Sequence, residues 1–432
     1  MYFCSMKSKM TDFNLFYTLC FPVVQFATLC HYRRIVIKGK DNIPDDEKYI
    51  LAPCHQNALM DPLVVLYMEN KPVVFLARAD IFKKPLARFL LTWLRISPVY
   101  RIRDGRDQLS NNEAIFNTAR QVVEEGMPLC LMAEGTHNDK HQLLPLVKGM
   151  FRIAGATQME LGDSPLYIVP VGLDYDDYER PYSSVMVNVG KPIDVRNFMD
   201  DFESKEPVAL NRMRDALTTA LKAQIHHVDS VEHYNDEYAY CHAKTQEVLR
   251  QSKKRNTAWN RFQARQQVSR QVASMSEPER EACYLEGARF AEECSRKGVP
   301  LWYASKCSST SRMSWAIRTM LMLIVLLLAV VLCWEMLPFW LLSNPIVYLP
   351  THLIAKAKVK DPQFRSSINY AIRLGLTLVY SIVLFVVFCI SRGFFWALGI
   401  ILLGMFSAWL TPKVFVLLRD AWYGFKLTSK SK

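Results

Sequence analysis

The chain has 432 residues and a formal net charge of +12, and half of its residues are hydrophobic although 22% are charged. This length exceeds that of one ordinary domain of about 100–200 residues. The composition requires that a water-soluble part and a strongly apolar part occupy different segments. No segment resembles a nucleic-acid-binding module, so the positive charge predicts attraction to anionic lipid headgroups or to a polyanionic substrate.

The N-terminal 34 residues contain an apolar run, from Phe13 to Cys30, with basic residues on both sides. Pro22 interrupts the run and no small-residue cleavage site follows it, which argues against a secretory signal. A segment with positive flanks at both ends is expected to enter one leaflet and return. We therefore predict that residues 1–34 are a monotopic membrane-associated segment.

Residues 35–228 alternate short apolar runs with helical stretches, which is typical of an α/β fold with a mixed sheet flanked by helices. We predict a catalytic domain over this range. Its predicted strands are Lys48–Pro53, Pro72–Ala77, Pro98–Ile102, Pro128–Ala133, Leu166–Gly172 and Ser184–Val189.

A histidine and an aspartate follow the first predicted strand, where the chain reads CHQNALMDP with His55 and Asp61. A histidine base oriented by a carboxylate is suited to removing a hydroxyl proton during acyl transfer. On an ideal helix the two residues would lie roughly 240° apart around the axis, so they meet only if His55 lies in the loop before the helix. Taken alone, this pair favours a structural histidine.

Three further polar stretches change that interpretation, because each lies at the end of a predicted strand, where α/β sheets gather their ligands. They read SPVYRIRD at residues 97–104, EGTH at 134–137 and IVPVG at 168–172. The four ordered blocks, over about residues 36–225, resemble those of the glycerolipid acyltransferase superfamily. The five residues between His55 and Asp61 make the chain most similar to the fungal-type glycerol-3-phosphate and dihydroxyacetone-phosphate acyltransferases, which share HxNxxxDP.

This resemblance implies an acyltransferase-type fold with His55 as general base and Asp61 as the residue that orients it. It also implies transfer of a fatty acyl group from acyl-CoA or acyl carrier protein to glycerol-3-phosphate or dihydroxyacetone phosphate in phospholipid biosynthesis. Neither a cofactor nor a metal is expected. A lysophosphatidic acid acyltransferase is the alternative enzyme, and a non-catalytic membrane scaffold with the same fold is the alternative of another class.

The acceptor site follows from the same resemblance, which implies that Arg101 binds the acceptor phosphate and that the EGT residues shape the site. Two more cations are expected nearby because several charged donors best hold a dianionic phosphate, although both fit surface positions equally well. His137 stands where the family has arginine, so Lys140 or the Arg101 side would have to supply that charge. The predicted substrate-binding residues are Arg101, Arg103, Glu134, Gly135, Thr136 and Lys148.

Other groups of polar residues carry weaker signals for metal or redox chemistry. The eleven cysteines include no C-x-x-C pair and are predicted to be free thiols in a reducing compartment. Four histidines are attributed to a polar helix surface and three aspartates to a solvated acidic loop, because no ligand spacing accompanies them. These residues are His226, His227, His233, His242, Asp174, Asp176 and Asp177.

The remaining sequence divides into a polar helical arm, residues 229–312, and an apolar C-terminal region, residues 313–432. Four apolar segments each have the ~17–25 residues that a spanning helix needs, and basic clusters precede, separate and follow the two pairs. Two helical hairpins place all three clusters on the cytoplasmic side, with the catalytic domain; three crossings are the alternative. The segments are Ile317–Trp334, Met336–Ala355, Leu374–Ile390 and Phe394–Leu410.

Overall fold

The structure is a computed structural model that describes residues 11–69, 71–99, 110–307 and 364–428, with isolated positions between 320 and 359. The chain divides into two compact units. The first contains Met1–Thr28, Ile37–Asp174 and Met186–Ile225, and the second contains Leu29–Val36, Tyr175–Val185 and His226–Lys432. The first predicted hairpin, residues 317–355, lies almost entirely outside the described residues.

Strands and helices alternate over most of the region in which the α/β pattern was predicted. The strands are β1 (Arg34–Lys38), β2 (Lys48–Pro53), β3 (Val74–Arg78), β4 (Ile96–Val99), β5 (Leu129–Cys130), β6 (Leu166–Tyr175), β7 (Ser184–Val189) and β8 (Ile193–Asp194). The helices up to residue 224 are α1 (Leu15–His31), α2 (Met60–Met68), α3 (Pro85–Trp93), α4 (Ser110–Glu124), α5 (Gly149–Leu161) and α6 (Met199–Gln224).

In the described part of the chain, eight strands form one mixed sheet in the order β1-β7-β6-β2-β5-β3-β4, and β8 pairs with β6. The central strands run parallel, because β2 pairs in parallel with β5 and β6, and β3 with β4 and β5. β8 is antiparallel to β6. The carboxyl ends of parallel strands meet at one edge, so the segments after β2, β4 and β5 begin at the edge where α/β sheets bind ligands.

The hydrophobic core of the first unit joins the sheet to its flanking helices. Ile50 of β2, Leu129 of β5 and Ile168 of β6 are at most 1% exposed and share one cluster with Phe151 of α5 and Leu210 of α6. Complete burial of a side chain of this size contributes about 1.5–3 kcal/mol. This cluster therefore fixes the strands whose ends carry the polar motifs.

The predicted α/β fold class is confirmed, although individual elements differ from prediction. β2 and β7 have the predicted bounds, whereas the strand predicted over Pro128–Ala133 is reduced to Leu129–Cys130. Beyond Cys130 the chain leaves the sheet in a long loop that extends to α5. The prediction that Asp174 lies in a solvated loop is wrong, since this residue lies within β6 and is only 2% exposed.

The second unit contains further helices with their own apolar core, α7 (Tyr234–Gln251), α8 (Ala258–Ala273), α9 (Glu277–Arg296) and α10 (Leu301–Lys306). Cys241, Val268 and Tyr284 belong to this core, one from each of the three longer helices. The attribution of the histidines to a polar surface is wrong for His226 and His242, which are 0% and 1% exposed. A few apolar residues at helical spacing in each of the three longer helices form this core.

Two long apolar helices follow in the second unit, α11 (Arg365–Arg392) and α12 (Phe394–Thr428). Both are long and apolar enough to cross a membrane, with mean hydropathies of 2.5 and 1.9 in their most apolar windows. Those windows are 0% and 6% buried, unlike the core helices of water-soluble proteins. Gly393 separates the helices with a φ of +92°, a left-handed conformation that glycine adopts without a Cβ clash. The helix pair matches the second predicted hairpin.

Candidate active site

The loop between β2 and α2 brings His55 and Asp61 together. As their six-residue separation requires, His55 lies in the loop and Asp61 in the first turn of α2. The two side chains meet through a contact of 2.8 Å between His55 Nδ1 and Asp61 Oδ2. A hydrogen bond from Nδ1–H to the carboxylate sets the tautomer, so Nε2 carries the lone pair that accepts a proton.

Asp61 is held rigidly as well as being paired. Its Oδ2 also accepts the main-chain N–H groups of Gln56 and Asn57, each at 2.8 Å. The Asp61 side chain is fully buried, whereas the His55 side chain retains 17% exposure. A carboxylate that accepts several N–H donors keeps a fixed orientation in a low-dielectric environment. The result is an imidazole that is held in a fixed orientation while part of its ring stays exposed.

Glu134 connects the loop after β5 to the histidine. Its Oε1 accepts the main-chain N–H of His55 at 2.6 Å, and its Oε2 accepts the main-chain N–H of Leu144 at 2.8 Å. Burial raises the pKa of the Glu134 carboxyl to about 8, against the opposing effect of those two N–H donors. The His55 carbonyl accepts the N–H of Asn138 at 3.4 Å. The loop after β5 thus supports the main chain of the histidine on both sides, through Glu134 and Asn138.

Gly135 occupies a position at which a side chain would be strained. Its φ is +64°, and a Cβ there would lie 3.2 Å from Cγ1 of Val147. The main-chain N–H of Val147 donates to the carbonyl of Ala133 at 2.8 Å, which closes the loop behind this glycine. Lys148 follows directly, exposed at the start of α5. The structure therefore places the predicted residues Gly135 and Lys148 in one folded loop.

His137 lies next to His55. Its ring centroid is 5.2 Å from that of His55, with 61° between the ring planes. Thr136 and Lys140 of the same loop are exposed. Unlike a guanidinium, the imidazole at position 137 carries no permanent positive charge. Arg101 and Arg103, the residues predicted to bind the acceptor phosphate, lie outside the described residues.

The thiol next to the histidine is not available as a nucleophile. Cys54 is fully buried, its Sγ accepts the main-chain N–H of Leu173 at 3.1 Å, and burial raises the pKa of the thiol well above its ordinary value. A cysteine nucleophile must reach the thiolate state and contact its substrate. The buried Cys54 thiol therefore does not fit the role of a nucleophile.

A second histidine–aspartate pair in the same unit was not anticipated from the sequence. His141 Nδ1 lies 3.2 Å from Asp174 Oδ2, and the two side chains are 3% and 1% exposed. The His141 side chain is therefore much less accessible than the His55 side chain, which is 17% exposed. The 33 residues between His141 and Asp174 follow no local pattern, so only the path of β6 reveals the contact.

Comparisons with known proteins find similarity to acyltransferases. A family model described as Acyltransferase matches residues 34–174. A 1-acyl-sn-glycerol-3-phosphate acyltransferase of Borreliella burgdorferi is 27% identical over 134 residues, or 31% of this chain and 51% of that protein. A protein of the same name from Cocos nucifera is 27% identical over 176 residues, or 40% and 52%. The chain thus spans about half the length of the curated relatives it matches.

Among solved structures, the 1-acyl-sn-glycerophosphate (LPA) acyltransferase of Thermotoga maritima shares 21% sequence identity, with a TM-score of 0.30. The match covers 44% of this chain and 73% of the Thermotoga maritima chain.

Proposed function

We propose that the chain is a membrane-bound enzyme that acylates a glycerol-phosphate-type acceptor. Support comes from residues 34–174, which match the Acyltransferase family model, and from the similarity to relatives named as 1-acyl-sn-glycerol-3-phosphate acyltransferases. The donor is a fatty acyl thioester of coenzyme A or of acyl carrier protein. The acceptor is glycerol-3-phosphate or dihydroxyacetone phosphate. The observation that carries this proposal is the 2.8 Å contact between the partly exposed His55 and the buried Asp61.

The chemistry follows from the tautomer of His55. Nε2 takes the proton of the acceptor hydroxyl while the hydroxyl oxygen attacks the carbonyl carbon of the thioester. Asp61 stabilises the imidazolium that forms. Collapse of the tetrahedral intermediate breaks the carbon–sulfur bond, and the leaving thiolate regains a proton from His55. A positioned base of this kind contributes typically about 10²–10⁴-fold to the rate.

Acceptor binding requires positive charge around the phosphate. We assign this role to Arg101 and Arg103, with Lys148 as a further cation and with Glu134, Gly135 and Thr136 shaping the site. Support comes from the parallel strands, whose carboxyl ends share one edge. The first turn of α5, which follows Lys148, presents main-chain N–H groups that also favour an anion.

A lysophosphatidic acid acceptor is the second candidate, and the names of the curated relatives favour it. The HxNxxxDP spacing and the similarity to fungal-type enzymes favour the smaller acceptors. Both reactions use the same base and differ in whether the acceptor already carries an acyl chain. A scaffold without turnover is the alternative outside enzymology.

Membrane attachment suits either reaction, because the acyl chain stays in lipid while the phosphate stays in water. The apolar helices α11 and α12 support an integral membrane protein. We assign the catalytic domain to the cytoplasmic face because the basic residues around the apolar segments follow the positive-inside rule. The domain limits 1–34, 35–228, 229–312 and 313–432 stay predictions.

An acyl-transfer assay on the full chain in detergent tests the proposed function. Acyl-CoA and acyl carrier protein donors are each combined with glycerol-3-phosphate, dihydroxyacetone phosphate and lysophosphatidic acid. We expect turnover with a small phosphate acceptor and a loss of about 10²–10⁴-fold in His55→Ala. Preference for lysophosphatidic acid would select the second candidate.

The matched control is His141→Gln, which disturbs the closed histidine–aspartate pair of the same unit. Its activity per folded molecule should stay close to that of the wild type, because His141 is sealed from substrate. Equal activity of the wild type and His55→Ala would contradict the mechanism. Absence of turnover with every donor and acceptor would favour the scaffold.

A further inference from the structure

A cluster of cations in the second unit surrounds a single carboxylate, that of Asp420 in α12. Arg33 Nη1 and Lys306 Nζ contact Asp420 Oδ2 at 2.8 and 2.6 Å, and Arg419 Nε lies 3.8 Å from Asp420 Oδ1. The three cations come from segments far apart in the sequence. One carboxylate therefore faces three positive charges within the described part of this unit.

Arg261 of α8 adds a fourth cation. Burial, together with the charges of the neighbouring Arg265, Arg33 and Arg34, lowers its pKa to about 10, whereas Asp176 acts in the opposite direction. Burial likewise lowers the pKa of Lys306, and Arg33 and Arg261 contribute to that decrease. Arg33 and Lys306 contact the same oxygen of Asp420, so their like charges lie near each other. We name Arg33, Arg261, Lys306, Arg419 and Asp420 the Asp420 cluster.

The excess of positive charge in the Asp420 cluster is costly without a ligand, because partly buried cations lose hydration and repel one another. Asp176 and Asp177 are the further carboxylates that act on Arg261 and Arg419. Arg180 and its neighbour Glu179 donate N–H groups to Asp177, so this acid is already engaged. A bound dianion or monoanion would neutralise the remaining charge through charge-assisted hydrogen bonds.

The position of the cluster along α12 indicates which anion it meets. The 35 residues of α12 would extend about 52 Å at 1.5 Å per residue, which exceeds the ~30 Å hydrocarbon thickness. A span that begins at Phe394 would leave the hydrocarbon several residues before Asp420. The cluster is then at headgroup depth, where Trp and Tyr side chains concentrate.

Aromatic residues surround the cluster as expected at that depth. The Arg419 guanidinium lies 5.1 Å from the ring centroid of Trp302, and the Tyr303 hydroxyl donates to the main-chain carbonyl of Asp420. Tyr423 packs against both Trp302 and Tyr303. Trp302 and Tyr303 therefore contact two members of the cluster, Arg419 and Asp420.

We propose that the Asp420 cluster is a binding site for a phosphate group, supplied by the headgroup of an anionic phospholipid. The site is separate from the acyl-transfer site in sequence and in the residues that form it. Such a site would retain an anionic lipid against the second unit and make the protein dependent on membrane composition.

Titration of the purified full chain in detergent, read as the thermal unfolding midpoint, tests this site. The probes are phosphatidylglycerol, phosphatidylcholine as a lipid without net charge, and inorganic phosphate. We expect phosphatidylglycerol to raise the midpoint and phosphatidylcholine to leave it unchanged. A response to inorganic phosphate, with or without a response to phosphatidylglycerol, also supports the phosphate site. It would show that the bound phosphate need not come from a lipid.

The variants Arg261→Gln and Lys306→Gln should each weaken phosphatidylglycerol binding by about tenfold, which corresponds to ~1.4 kcal/mol, because each removes one positive charge from the site. Arg250→Gln, at the exposed end of α7, is the matched control and should bind as the wild type does. Arg261→Lys keeps the charge and should retain binding even if the glutamine variant does not fold.

Removal of the Asp420 carboxylate should have the opposite effect on lipid binding from removal of a cation. Asp420→Asn should bind phosphatidylglycerol more tightly than the wild type, because one negative charge leaves the cluster. Equal affinities in the wild type, Lys306→Gln and Asp420→Asn would overturn the proposal. No response of the wild type to either phosphatidylglycerol or inorganic phosphate would also overturn it.

Discussion

The main-chain N–H of His55 donates a 2.6 Å hydrogen bond to Oε1 of Glu134, although the two residues are 79 positions apart. This bond joins the loop after β2 to the loop after β5. The other carboxylate oxygen of Glu134 holds Leu144. The position of His55, the proposed base, thus depends on the buried side chain of Glu134.

Asp61→Asn should reduce kcat by about 10²–10⁴-fold with little change in KM for the acyl donor. The amide replaces a charged acceptor of three hydrogen bonds and no longer favours the tautomer with a basic Nε2. Steady-state kinetics on the detergent-purified chain measures both constants. Asp174→Asn, in the closed pair with His141, is the control and should keep its kcat. Comparable losses in both variants would point to a general loss of structure.

Glu134 should make stability depend on pH. Burial raises its pKa from 4.5 to about 8, so the folded protein holds a proton that the unfolded chain releases between these values. This stabilisation is complete below pH 4.5 and is lost as pH rises through about 8. One pKa unit corresponds to about 1.4 kcal/mol, and we expect a decrease larger than ~1 kcal/mol over this range.

The measurement for Glu134 compares unfolding free energies of the wild type and Glu134→Gln at several pH values. Other titrating groups contribute to both proteins and cancel in the difference. The glutamine variant does not titrate, and its NH₂ group cannot accept the second main-chain N–H, so it should be less stable at low pH. Parallel pH profiles of the two proteins would contradict the raised pKa.

Gly135→Ala should destabilise the loop of the proposed acceptor site. A residue with a Cβ pays roughly 1–2 kcal/mol for the left-handed conformation, and the new methyl group would press on Val147. The thermal unfolding midpoint and the acyl-transfer rate should both decrease. Gly149→Ala is the matched control, since open space surrounds its Cβ position at the start of α5. An unaltered Gly135→Ala variant would show that the loop adapts.

The two-hairpin topology predicts opposite accessibilities for Lys358 and Ser391. Single cysteines at these positions would be labelled by a membrane-impermeant reagent. The background lacks the half-buried Cys20, Cys30, Cys307 and Cys389 as well as Cys4 and Cys333. We expect position 358 to react from the cytoplasmic side and position 391, at the α11–α12 turn, from the other side. Labelling of position 358 from the non-cytoplasmic side would support three crossings.

Local sequence patterns predicted much of the fold. The apolar runs of β2 and β7 and the apolar stretches inside α11 and α12 were readable because strand and helix periodicities are properties of neighbouring residues. The superfamily was readable from four ordered motifs, and the family model over residues 34–174 confirms it. The closeness to fungal-type enzymes stays a prediction.

The sequence by itself determined the α/β class, the pairing of His55 with Asp61 across a short loop, and the apolar C-terminal helices. Only the tertiary structure decided that Glu134 supports His55, that Asp174 is buried against His141, and that Arg33 reaches Asp420 over 387 positions. The physical reason is that strand order and helix packing bring distant residues together, and no local periodicity encodes that order. The hydrogen bond from His55 to Glu134 therefore became visible only when β2 and β5 were paired.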